Sequence, residues 1–116
     1  MMPSPKPSWK LLAGKTAAIT GGTTGIGRAI TLEFLRQGCN VAVNHLGLER
    51  DAGLLDAMVD EAKEYGEDAG QLMPLAGDVS NPETGKQLVE EAVKKFGKLD
   101  IFVSNAGICQ FAEFLE

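Results

Sequence analysis

Thr20 to Ala29, "TGGTTGIGRA", packs four glycines and three threonines into ten residues, a composition for which a packed core has little use. The stretch follows the apolar run "KTAAI" and precedes apolar residues at helical spacing. A helix beginning there has unpaired backbone N–H groups and the positive end of its dipole, both of which favour an anion. Gly21 allows the tight turn. Gly25 lets the backbone approach a pyrophosphate with no side chain in the way, and Gly27 lets the helix pack close on the strand. Thr23 and Thr24 offer hydroxyl donors to the same anion. A merely tight strand–helix turn needs one glycine, not four. A phosphate loop of the nucleotide-hydrolase kind needs Lys-Ser/Thr after its last glycine, and Arg28-Ala29 follow Gly27 here, so that reading fails.

Three further groups carry polar chemistry next to glycine or at a strand end: Asn44 and His45, Asp78 with Val79 in "GDVS", and Asn105, Ala106 and Gly107 in "NAG". Each has a plainer reading. His45 also suits a partly buried structural position, Asp78 a solvated turn, and Asn105 a turn beside a glycine. The two cysteines, Cys39 and Cys109, lie far apart with no ligand spacing and read as reduced thiols, so no metal site is expected. A net charge of −5 argues against a nucleic-acid or anionic-membrane partner. The opening "MMPSPKPSW" lacks the apolar stretch of a signal peptide and reads, through residue 13, as a disordered tail. A soluble protein of the cytoplasm is expected.

The elements that must hold these residues alternate along the chain. Lys15 to Thr20 predicts a short strand. Ile26, Ala29, Ile30 and Phe34 then mark the inner face of a helix, with Gly38 as its C-cap. "NVAVNH", Asn40 to His45, is a second strand. Leu54, Leu55, Met58, Val59 and Ala62 form the stripe of a second helix that ends by Gly66. "QLMPLAG" is a weaker strand whose Pro74 cannot donate to a ladder, which places it at a sheet edge. "SNPE", Ser80 to Glu83, reads as a capping box with proline just inside a third helix that buries Leu88, Val89, Ala92, Val93 and Phe96. "KLDIFVSNAG" is a fourth strand entering another glycine turn. Strand–helix alternation with crossovers of this length predicts an α/β fold: a doubly wound parallel sheet in three α/β/α layers.

The spacing T-G-x-x-x-G-x-G, followed by "GDVS" and "NAG" in that order, resembles the short-chain dehydrogenase/reductase family from Lys15 onward, with "VSNAG" in place of the commoner "VNNAG". The resemblance implies a Rossmann-type fold over residues 14–116 and an NAD(P)-dependent oxidoreductase. It gives Gly21, Thr23, Thr24, Gly25, Ile26 and Gly27 to the pyrophosphate loop and Asn44 and His45 to the adenosine ribose. Asp78 and Val79 fall to the adenine, and Asn105, Ala106 and Gly107 to the cofactor cleft. NAD-preferring members usually carry aspartate where His45 stands. Histidine does not repel a 2′-phosphate, and attracts it when protonated. Thr24 stands where many NADP-preferring members carry a basic residue, while Arg28 and Arg50 are cations nearby. Both NADP and NAD are therefore expected, with NADP or dual use favoured.

"VAVNHLG" and "FVSNAGICQFAEFLE" resemble the sugar-oxidising branch of the family, L-rhamnose 1-dehydrogenases above all, and 3-oxoacyl-carrier-protein reductases share much of the frame. The implied partner is a small sugar or other alcohol, and the implied assembly a homo-oligomer, a tetramer or dimer. In the family a serine, a Tyr-x-x-x-Lys pair and an asparagine do the chemistry. Tyr65, the one tyrosine, has Ala69 four places on, at the end of the second helix and on the adenosine side if anywhere. No catalytic residue is assigned here, and the catalytic positions are expected beyond Glu116. The fourth strand, interior in the family's order, is expected as an apolar edge that promotes self-association. The competing class is a dinucleotide-binding module without catalysis.

Overall fold

The computed structural model describes residues 10–105, which form four strands and three helices. β1 (Thr16–Ile19), α1 (Gly25–Arg36), β2 (Asn40–His45), α2 (Glu49–Lys63), β3 (Leu72–Ala76), α3 (Pro82–Phe96) and β4 (Ile101–Val103) follow one another in strict alternation. The sheet runs β3-β2-β1-β4 with every pair parallel.

Strand periodicity sorts the core into two layers. Ala17, Ile19, Val41 and Val43 point to one face, where Leu32 and Leu35 of α1 and Met58 of α2 cover them. Ala18 and Ala42 point to the other, under Leu88 and Ala92 of α3. Small alanines on the second face let a single helix lie close. Burying side chains the size of Leu35, Met58 and Leu88 stabilises the fold by roughly 1.5–3 kcal/mol each. β1 and β2 are thus covered on both faces, as parallel strands require. β3 stands at the edge, with Pro74 opposite Val43, where its missing N–H costs no ladder bond.

Three local readings are corrected. The buried face of α1 is Gly27, Thr31, Leu32 and Leu35; of the expected stripe, Ile30 and Phe34 pack half-buried against the same core, and Ile26 and Ala29 are exposed. Both sets have helical spacing. Thr31 decides between them, because its hydroxyl donates to the Gly27 carbonyl at 2.8 Å and so needs no outside partner when buried. Asn81, not Ser80, caps α3, its side chain accepting from Glu83 N–H. A residue before proline is driven out of helical geometry, so Asn81 cannot be helical ahead of Pro82 and becomes the cap. Thr84, Leu88 and Ala92 line the inner side of α3, and Val93 lies 42% exposed.

Residues 10–14, at the junction of the expected tail and domain, make a turn against the end of α1. There Leu12 N–H donates to the Gln37 carbonyl and the Lys10 ammonium to the Arg36 carbonyl. Gly38 sits one place beyond the C-cap Gln37, with the positive φ (89°) usual there. Cys39 is buried, and burial pushes its thiol up to about 11. Residues 1–9 of the expected tail, and Ala106, Gly107 and Cys109, lie outside the described residues. No helix among the described residues is long and apolar enough to cross a membrane.

Candidate functional site

In a parallel sheet every strand ends at the same edge, and here the loops after β1, β2 and β3 enclose a cavity of about 400 Å³. The glycine loop contributes Gly21, Thr23 and Thr24. The end of β2 and its loop contribute Asn44, His45 and Leu46, the start of α2 Arg50 and Asp51, and the β3–α3 loop Asp78 and Val79. Three segments that are distant in sequence, each with its own polar chemistry, are thus brought around one space.

The glycine loop is shaped from below. Gly25 has φ +55°, a backbone conformation that side chains disfavour, and its missing Cβ faces open space. At Gly27 a Cβ would fall on the Gly21 carbonyl oxygen and the Asn105 amide nitrogen. This glycine therefore serves the packing of the helix start against its own turn. Asn105, buried, donates from Nδ2 to the Gly21 carbonyl at 3.1 Å and braces the turn from the β4 side. Asn44 braces it from the β2 side. Only 2% exposed, it accepts from Gly21 N–H at 3.2 Å and donates to the Gly77 carbonyl at 2.8 Å, tying the first loop to the third. Its amide is largely occupied by the protein.

The start of α1 differs from the other two helix starts. Its N-cap residue Thr24 makes no side-chain hydrogen bond to the helix, and no acidic residue lies in the first turn. α2 begins with Glu49 and Asp51, and α3 with an Asn81 cap and Glu83. The positive end of the α1 dipole thus meets no acidic side chain from its own first turn, beside the cavity.

Asp51 escaped the sequence reading. It is 4% exposed and lies against the glycine loop: Thr23 Oγ1 donates to its Oδ1 at 3.3 Å, and Leu48 N–H donates to its Oδ2 at 2.9 Å. Burial opposes its charge, but the Leu48 N–H, the neighbouring His45 and the Thr23 hydroxyl together hold the carboxyl below its usual range. The Thr23 proton is thus given to Asp51 and not presented to the cavity. His45 Nδ1 lies 3.7 Å from Asp51 Oδ2 and accepts from Gly47 N–H at 3.0 Å. The second contact is the shorter and makes Nδ1 an acceptor, so the ring proton is assigned to Nε2.

The remaining expected residues separate. Asp78 is exposed and accepts from Ser80 N–H at 2.9 Å, which keeps its carboxyl below the usual range. Ile26, 70% exposed on α1, does not line the cavity. Arg28 is turned away to Glu61 of α2 at 3.2 Å, whereas Arg50 is exposed and has no hydrogen bond or ion pair among the described residues. Tyr65 follows the far end of α2 and donates to Glu61 Oε2 at 3.1 Å. A helix of 15 residues is about 22 Å long, so Tyr65 is remote from the cavity.

Residues 15–116 match the model of the family described as short chain dehydrogenase. An L-rhamnose-1-dehydrogenase of Scheffersomyces stipitis is 53% identical over 106 residues, 91% of this chain and 40% of that protein. An L-rhamnose 1-dehydrogenase (NAD(P)(+)) of a Sphingomonas species is 42% identical over 107 residues, 92% of this chain and 40% of that protein. A crystal structure of a dehydrogenase/reductase from Sinorhizobium meliloti superposes with a TM-score of 0.72 at 33% identity, over 85% of this chain and 37% of that one. The chain spans about 40% of the length of these curated relatives.

Proposed function

Because the chain belongs to the short-chain dehydrogenase family, we propose that it forms the dinucleotide-binding part of an NAD(P)-dependent oxidoreductase acting on a sugar CH–OH group. The observation that carries this reading is the start of α1, a glycine loop leading into a helix with no acidic residue in its own first turn, opening on a cavity of about 400 Å³. The residues fit the group. Gly25 leaves backbone approachable, the α1 amides favour a pyrophosphate, and Asp78 and Val79 stand across the cavity where an adenine edge needs polar and apolar contact.

Gly21, Gly25 and the exposed Thr24 hold the pyrophosphate, while Gly27 keeps the helix start packed on its own turn and Ile26, which does not line the cavity, has no part in it. His45 meets the adenosine ribose through Nε2–H, while Asn44 and Asn105 keep the glycine turn in shape. Ala106 and Gly107, which lie outside the described residues, are assigned to the cofactor cleft by the family resemblance alone. When bound, the cofactor supplies the hydride acceptor. What these residues contribute is orientation, since none of them is placed to move the substrate proton. The family resemblance gives that task to a serine and a Tyr-x-x-x-Lys pair. The relatives' names support L-rhamnose, dehydrogenated at its position 1, as the substrate of the whole protein. A cytoplasmic homo-oligomer completes the reading.

Calorimetric titration of this chain with NAD and with NADP tests it. Binding of both is expected, with NADP at least as tight, because His45 and the unpaired Arg50 tolerate a 2′-phosphate. A sample that melts cooperatively yet binds neither would contradict it. For the whole protein, NADP reduction dependent on L-rhamnose is expected. Reduction of a 3-oxoacyl thioester in its place would move it to the reductase branch.

A further inference from the structure

Asp51 has a geometry that neither the glycine loop nor the end of β2 explains, and its role depends on the dinucleotide reading proposed for the cavity. Its carboxylate is buried yet borders the cavity, and it joins two loops that must face one ligand together. Oδ1 accepts from Thr23 of the glycine loop, and Oδ2 accepts from Leu48 N–H of the β2–α2 loop. The same Oδ2 lies 3.7 Å from His45 Nδ1. Both oxygens already accept from protein donors and the residue is only 4% exposed, so Asp51 acts on a ligand through its charge and not as its primary acceptor. Its charge stays beside the imidazole that borders the ribose end of the cavity. Arg50, next in sequence, lines the same cavity with no ion-pair partner among the described residues. This corner accordingly holds one fixed, buried carboxylate against one exposed guanidinium.

We propose that Asp51 is a positioning residue that ties the glycine loop to the β2–α2 loop, and that its fixed charge restrains the site's preference for an adenosine ribose carrying a 2′-phosphate. A buried charge is screened less by salt than an exposed one, so the carboxylate opposes an incoming phosphate more effectively than its distance from bulk water would suggest. His45 and Arg50 pull in the other direction. Use of both nicotinamide cofactors is then a balance among three side chains, in which Asp51 is the restraining one.

Adenosine-side probes isolate this from catalysis and from the nicotinamide end. ADP and 2′,5′-ADP are titrated calorimetrically into the wild-type chain and into Asp51→Asn and Asp51→Ala, with a thermal melt of each protein. Asp51→Asn keeps an oxygen acceptor for Leu48 N–H but loses the charge. Its affinity for 2′,5′-ADP relative to ADP is expected to rise about fivefold. Asp51→Ala loses the tie as well and is expected to weaken ADP about tenfold while showing the same rise in the ratio. A folded Asp51→Asn whose ratio stays within about twofold of wild type overturns the proposal, as does a parallel loss of both ligands, which is what a merely structural residue gives. A folded wild-type chain that binds neither probe overturns the dinucleotide reading itself, and is recognised before any variant is compared.

Discussion

The two flanks of β1 are finished in different ways. Toward β2, two buried polar side chains tie neighbouring loops: Asn44 accepts from Gly21 N–H and donates to the Gly77 carbonyl, Asp51 accepts from the Thr23 hydroxyl and Leu48 N–H, and the loops enclose a cavity. Toward β4, a strand of three residues, Asn105 donates to the Gly21 carbonyl and Asp100 accepts from Thr16 N–H, and the Phe102 ring lies 46% exposed. Hydrogen bonds have direction and apolar contacts do not, so the first flank ties three loops to one another, while the second ties only the glycine turn and the start of β1. A ligand site that must be ready before its ligand arrives belongs on the first flank, and that is where the cavity lies.

The contrast is open to test by substitution. The largest effect is expected at Gly27, where both flanks meet. Gly27→Ala puts a methyl on the Gly21 carbonyl and the Asn105 amide, and should cost about 3 kcal/mol in urea denaturation together with all dinucleotide binding. Asn44→Ala comes next. It orphans Gly21 N–H and the Gly77 carbonyl, for about 2 kcal/mol, and separates the first loop from the third.

Acid should act more gradually. Asp51 on one flank and Asp100, which accepts from Thr16 N–H on the other, both titrate below the ordinary value of 3.8 when folded. A carboxyl with a lowered folded pKa contributes stability that is fully present above its unfolded value and lost as pH falls through the folded one. The urea midpoint is therefore expected to hold above pH 3.8 and to decline below it, with a shallower decline in Asp51→Asn. The smallest effect belongs to the apolar flank. Phe102→Ser should change stability by no more than about 0.5 kcal/mol, since the ring is already half in water. A loss above about 2 kcal/mol there would erase the distinction between the flanks.

Much of this was legible in the sequence because the decisive residues act locally. Pro74 lacks a donor wherever it is placed, and that alone sends β3 to the edge. The glycine loop advertises a backbone problem that other residues cannot solve. β2 was readable to both ends, Asn40 to His45, because it is covered on both faces and reads as an apolar run closed by polar residues. What escaped depends on contacts across the chain. Asp51 lies in the first turn of an acidic helix, where carboxylates are common for the dipole alone, and its partner Thr23 is 28 residues away. The face of α1 was misread because two apolar stripes compete, and the choice rests on a threonine that satisfies itself. The cap of α3 was misplaced by one residue because a capping-box pattern was weighed without the constraint proline puts on the residue before it.

The measurement that bears hardest on this reading is a two-dimensional ¹H–¹⁵N spectrum of the chain titrated with NADP. The amides of Gly21, Thr24, Gly25, His45, Asp78 and Val79 are expected to shift together along one saturation curve. A second cavity at the other end of α2, bordered by Lys63, Gly70 and Lys95, should stay unmoved and serves as the internal control. Shifts confined to that second cavity, or spread evenly over exposed lysines, would contradict a dinucleotide site at the glycine loop.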